Sequence, residues 1–156
     1  MGSNPIRAFL SSLPAAITLG IHPLHYMGSM VYAYPPQVRK FEIIGGLFGE
    51  PYRLAATGVE GLAVPAGAEI VIEGRLRTDL WAEDGPFGDY WLYYSPARQA
   101  RVFEVTAITH RRNAVFSQII SQVTPSESSV MKKVAYEPLY LEHLKKVLNI
   151  KGITGV

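Results

Sequence analysis

The sequence predicts a mainly β fold of the α+β type: an antiparallel barrel, closed or partly open, followed by helices. Three observations carry this. Short runs rich in Val, Ile, Phe and Tyr recur between turn-forming residues from Tyr52 to Gln122. Apolar and polar residues alternate over Glu69 to Arg77 and over Val102 to His110, the period of a half-buried strand. Thr124-Pro125-Ser126-Glu127 then has the signature of a helix start. Residues 1–125 therefore read as the barrel with a strand-and-helix lead-in, and residues 126–156 as C-terminal helices.

Ala15 to Gly20 is expected as a short buried strand that a glycine ends. Pro23 suits the first turn of a helix carrying Leu24, Met27 and Met30 on one face. His22 and His25 could share a helical face, a spacing that permits a metal pair, but no third ligand is in view and a structural role is the better reading. Tyr34-Pro35-Pro36-Gln37 is expected to be an extended loop, because each proline drives its predecessor out of the helical region. Lys40 reads as a lysine on a loop, solvated by default.

Tyr52 to Thr57 and Gly61 to Val64 are short strands separated by Gly58. In the next strand Ile70, Ile72, Gly74 and Leu76 face one way, with Glu69, Val71, Glu73 and Arg75 on the other face or the rim. Trp91 to Tyr94 continue the strand pattern. Phe103, Val105 and Ala107 oppose Glu104, Thr106 and His110, and Ala114 to Gln122 gives one more strand. Thr124 is the expected N-cap of a helix running to about Tyr136. Pro138 ends it or begins a second, in which Leu141, Leu144 and Leu148 share a face.

At 156 residues the chain fits one domain with a substantial core. Hydrophobic residues make up 48% and charged residues 18%, apolar enough to suggest a surface meant for a partner. A net charge of +2 is too small to argue for nucleic acid or an anionic membrane. The early apolar run is broken by Pro14, His22 and Pro23, too short to span a bilayer, and residues 1–10 lack the pattern of a signal peptide. With no cysteine there is no disulfide or thiolate chemistry, which is compatible with a cytoplasmic location.

The sharpest motif is Asp84-Gly85-Pro86-Phe87-Gly88-Asp89. Proline second and glycine fourth in Gly-Pro-Phe-Gly suit a β-turn, which would set two carboxylates near one bend. Taken alone, that motif is a solvated hairpin tip.

Three segments in order, VPAGAEIVIEG from Val64, DGPFGDYWLYYS from Asp84 and VFEVTAITHRR from Val102, resemble the middle region of the UbiD family of decarboxylases. The resemblance implies a split antiparallel barrel like those that bind FMN, with prenylated FMN as cofactor. It also implies non-oxidative, reversible decarboxylation of aromatic or α,β-unsaturated carboxylic acids. Asp84 and Asp89 match the family's two catalytic carboxylates. The first holds an arginine; the second gives a proton to the carbon that carbon dioxide leaves. Ser29-Met30 matches a pair lying against the flavin. Lys40 stands where the family has a glutamate that binds a divalent metal, and an ammonium cannot ligate a cation. Either the metal is dispensed with and Lys40 pairs the flavin phosphate, or the chain has no flavin site. His110-Arg111-Arg112 is a further family feature, most simply a basic surface turn.

Family members are roughly three times longer, and the arginine, with the asparagine and histidine of the metal site, belongs to their amino-terminal region. The chain is therefore expected to be a subunit or fragment of such an enzyme, inactive alone. Another chain would supply the missing regions, with or without homo-oligomerisation. Two rivals are a non-catalytic scaffold subunit derived from this barrel and a flavin-binding split-barrel protein of other function.

Overall fold

The computed structural model describes residues 11–30, 37–59 and 61–155. In chain order these form β1 (Ser12–Leu19), α1 (Pro23–Met30), α2 (Lys40–Phe48), β2 (Leu54–Ala56), β3 (Ala63–Pro65), β4 (Ile70–Asp84), β5 (Phe87–Gly88), β6 (Tyr94–Ser95), β7 (Arg98–His110) and α3 (Glu127–Glu142). A π-helical turn, His143–Val147, follows α3. The proline-rich loop expected at Tyr34 to Pro36 lies outside the described residues. The fold is mostly antiparallel sheet with a C-terminal helix, as predicted, and it divides into two compact units.

The first unit comprises the described part of Met1–Ile21 and Arg53–Gln118. Its centre is an open three-stranded antiparallel sheet in the order β1-β4-β7, accompanied by the two-stranded pairs β2-β3 and β5-β6. Leu19 pairs with Ile70 and Ser12 with Arg77, so β1 lies along the first half of β4. The strand predicted at Ala15 exists but starts earlier, and it is half-exposed rather than buried. β4 and β7 pair from Ile70↔His110 to Asp84↔Arg98, with register shifts at Glu73/Gly74 and between Leu76 and Trp81. At the first shift the strands approach so closely that a Cβ on Gly74 would sit 2.0 Å from the Glu104 carbonyl oxygen. Only glycine fits there. The bulge also breaks the simple alternation: Glu73, expected on the polar face or rim, is 5% exposed. Its Oε2 accepts a 2.7 Å hydrogen bond from the Gly58 amide, fastening the segment before the β3 strand to the main sheet.

Two predicted strands are not formed. Trp91 to Tyr93 belong to the loop between β5 and β6, and only Tyr94 enters a strand. Ala114 to Gln122 is irregular, with Val115, Phe116 and Ile120 exposed. Its Val115 amide bonds the Glu69 carboxylate instead of a strand neighbour. High β propensity without a paired edge is not enough to make a strand.

The second unit comprises the described part of His22–Tyr52 and Ile119–Val156. Helix α1 begins with Pro23, and the His22 side chain accepts the Leu24 amide at 3.2 Å, as an N-cap group does. Helix α2 starts at Lys40, which is thus a helical residue and not a loop one, and Glu42 reaches back to the Arg39 amide at 3.2 Å. Buried Ile44 of α2 lies against Gly28 of α1. His22, His25, Phe41, Phe48 and Tyr52 form a continuous ring cluster, with centroid separations from 5.0 to 6.3 Å. The N-cap of α3 is Ser126 rather than Thr124. Its hydroxyl accepts the Ser129 amide, and the Ser129 hydroxyl accepts the Ser126 amide. The helix runs through Pro138 to Glu142 instead of ending near Tyr136.

Candidate functional site

The two predicted carboxylates lie in the first unit, on either side of β5. Asp84 is the last residue of β4, half-buried, and sits opposite Arg98 at the start of β7. Arg98 Nε is 3.8 Å from Asp84 Oδ2, with side chains 78% and 39% exposed, a loose pair that solvent screens. Gly85 follows at φ 98, a conformation open to glycine, and turns the chain out of β4. Phe87–Gly88 then pairs with Tyr94–Ser95, so Gly-Pro-Phe-Gly is not itself the hairpin tip that the sequence suggested. The tip is residues 89–93. There the Asp89 amide donates to the Tyr93 carbonyl at 2.8 Å and the Leu92 amide donates to the Asp89 carbonyl at 3.0 Å.

Asp89 is exposed, and its Oδ1 accepts the Tyr90 amide at 2.6 Å. The Tyr90 and Trp91 rings meet with centroids 4.5 Å apart. Of the aromatic residues nearest Asp89 in sequence, Phe87 and Trp91 are 54% and 62% exposed and Tyr90 is half-buried, while Leu92, Tyr93 and Tyr94 beyond them are exposed as well. Arg98 is the functional candidate that the sequence reading missed. Its only signal is the pairing of β4 with β7, which two bulges hide from residue counting.

Ser29, Met30 and Lys40 lie in the second unit, and the structure brings them together. The Lys40 ammonium donates to the Ser29 carbonyl at 2.6 Å, across the gap between α1 and α2. The Ser29 hydroxyl donates to the Tyr26 carbonyl at 2.9 Å. The Tyr136 hydroxyl of α3 donates to the Met30 carbonyl. Close by in the same unit, His25 Nδ1 and the Tyr52 hydroxyl share a 2.6 Å bond. Burial holds the His25 pKa below its usual value and the Tyr52 pKa above its own. Both groups are therefore neutral at neutral pH.

A divalent metal does not fit these residues. At the position that would supply its carboxylate stands a lysine already bonded to a carbonyl, and among the described residues no three His, Asp or Glu side chains gather around one point. His22 and His25 take part in capping and ring packing. At the end of β7, His110 Nδ1 lies 2.8 Å from the Arg111 carbonyl oxygen. The Arg111 guanidinium is 3.5 Å from Glu69, an ordinary basic turn.

Residues 6–123 match the 3-octaprenyl-4-hydroxybenzoate carboxy-lyase Rift-related domain of the UbiD family. An uncharacterised protein of Archaeoglobus fulgidus is 31% identical over 133 residues, 85% of this chain but 27% of that protein. Among solved structures, an evolved dimeric form of the UbiD-class enzyme HmfF from Pelotomaculum thermopropionicum, in complex with prenylated FMN, is 34% identical. It superposes with a TM-score of 0.75, covering 86% of this chain and 31% of that one. Vanillic acid decarboxylase of Sedimentibacter hydroxybenzoicus, in its open form, is 28% identical with a TM-score of 0.80, covering 92% and 31%. The chain thus spans under a third of the length of each of these relatives.

Proposed function

The chain belongs to the UbiD family, and from that premise we propose that it is part of a prenylated-FMN-dependent carboxy-lyase, incomplete without a second chain. The substrates are aromatic or α,β-unsaturated carboxylic acids, and the location is the cytoplasm. The observation that carries this reading is the Asp84–Asp89 segment, which lies inside the matched region and keeps one acid at the end of β4 and another directly after the two-residue strand β5.

In this reading the bond from the carboxylate carbon to the substrate breaks, carbon dioxide leaves, and the electron pair stays on the substrate carbon. Asp89 gives that carbon its proton. Prenylated FMN, when bound, supplies the electron sink for this step. Asp84 holds a guanidinium; its loose pair with Arg98 supports this, because a carboxylate held at 3.8 Å is able to exchange partners. A proton donor near neutral pH needs an apolar enclosure. The exposed Asp89 would gain one from the completing chain. Ser29, Met30 and Lys40 fit a flavin by their chemistry: a hydroxyl, a thioether and an ammonium at one helix end suit a ring system with an anionic tail.

The test is purification of the chain alone and with the remainder of a UbiD-class enzyme, followed by absorbance. Flavin in the assembled complex, and activity that falls about a hundredfold or more in Asp89→Asn, is the expected result. A colourless complex removes the cofactor assignment, and an undiminished Asp89→Asn removes the proton donor. A second reading, a non-catalytic scaffold subunit, is favoured by Lys40 at the ligand position. It predicts a stable complex whose turnover is indifferent to both aspartates.

A further inference from the structure

The C-terminal end of α1 is fastened from two other helices. An α-helix leaves its last carbonyls without intrahelical partners, and they carry the negative end of its dipole. Here the Ser29 carbonyl takes the Lys40 ammonium from the first position of α2, and the Met30 carbonyl takes the Tyr136 hydroxyl from α3. Both contacts are part-buried, and neither is made by a neighbour in sequence. A charged donor on a helix C-terminus is the favourable sign, and its hydrogen bond is stronger than a neutral one. A doubly charged cation brought to the same spot would instead face a fixed ammonium and be repelled.

We infer that Lys40 is a positioning residue: its ammonium on the Ser29 carbonyl, with the Tyr136 hydroxyl on the Met30 carbonyl, fixes Ser29-Met30 in place without a divalent metal. This holds whether or not the chain is a decarboxylase, since it concerns the order of α1 and not the chemistry beside it.

Amide hydrogen exchange on the full chain tests it. Lys40→Met should speed exchange at Met27 to Met30 by roughly tenfold or more, while amides of β4 and β7 in the other unit keep their wild-type rates. Lys40→Arg, which retains a cationic donor, should restore much of the protection. Millimolar Mn²⁺ or EDTA should leave the wild-type pattern unchanged. Should Lys40→Met not fold, Tyr136→Phe removes only a hydroxyl and should loosen the same four amides. Wild-type exchange rates at α1 in either Lys40→Met or Tyr136→Phe would overturn the inference. So would Mn²⁺ protection of wild-type α1 that EDTA reverses.

Discussion

Glu73 decides more of the first unit than its neighbours do. It is a carboxylate buried to 5% exposure, and its Oε2 accepts the Gly58 amide at 2.7 Å. Glu73→Gln keeps the shape but replaces a charge-assisted bond with a neutral one, and should cost about 1–2 kcal/mol, read as a fall in denaturation midpoint at constant slope. His25 makes the corresponding prediction in the second unit. Burial lowers its pKa in the folded state, so the folded protein binds this proton less readily than the unfolded chain does. Its contribution is present above the unfolded value of about 6.5 and is lost as pH falls below that value. Melting temperature should therefore drop between about pH 7 and pH 5, and His25→Phe, which preserves the ring packing, should flatten that drop. At this scale the sequence disclosed residue types well: both aspartates, Ser29-Met30 and the anomalous Lys40 are visible in the string. It could not disclose Arg98 beside Asp84, or a buried Glu73, because both follow from register and not from composition.

The elements explain why register was hidden. A period-two pattern assigns faces only while pairing is regular, and β4 shifts twice against β7. Gly74 marks the first shift, and Gly74→Ala would drive a methyl group into the Glu104 carbonyl. The strands must part there, so a loss of about 3 kcal/mol is expected, with faster exchange along Glu73 to Leu76. Strand existence was legible where alternation was long, in β4 and β7, and misleading where only propensity spoke. Ala114 to Gln122 has the β-forming residues but no strand beside it. Trp91 to Tyr93 have the same propensity but stand on the loop between β5 and β6. The start of α3 shows the same limit from another direction: Thr124 and Ser126 are both good caps, and only the geometry of Ser129 selects the second.

The composition suggested a surface meant for a partner, and the first unit carries a cluster of exposed apolar side chains. Trp91, Leu92 and Tyr93 at the β5–β6 tip and Tyr94 at the start of β6 are each more than half exposed, and they follow Asp89 and Tyr90 in the chain. Clusters of this size and character are rarely left in water, and Trp and Tyr dominate the centres of protein interfaces. On the proposed reading, one contact serves two ends. The completing chain that covers these aromatics would also take Asp89 out of solvent once the enzyme is assembled. Trp91→Ser should therefore weaken association with the completing chain by roughly thirtyfold, the loss typical of a hot-spot aromatic. The melting temperature of the isolated chain should barely change, because Trp91 is 62% exposed and outside any strand. Titration calorimetry and thermal melts on the same preparation separate the two effects. An unchanged dissociation constant would mean that the tip is not where the chains meet, and Asp89 would then lack the enclosure that a proton donor requires.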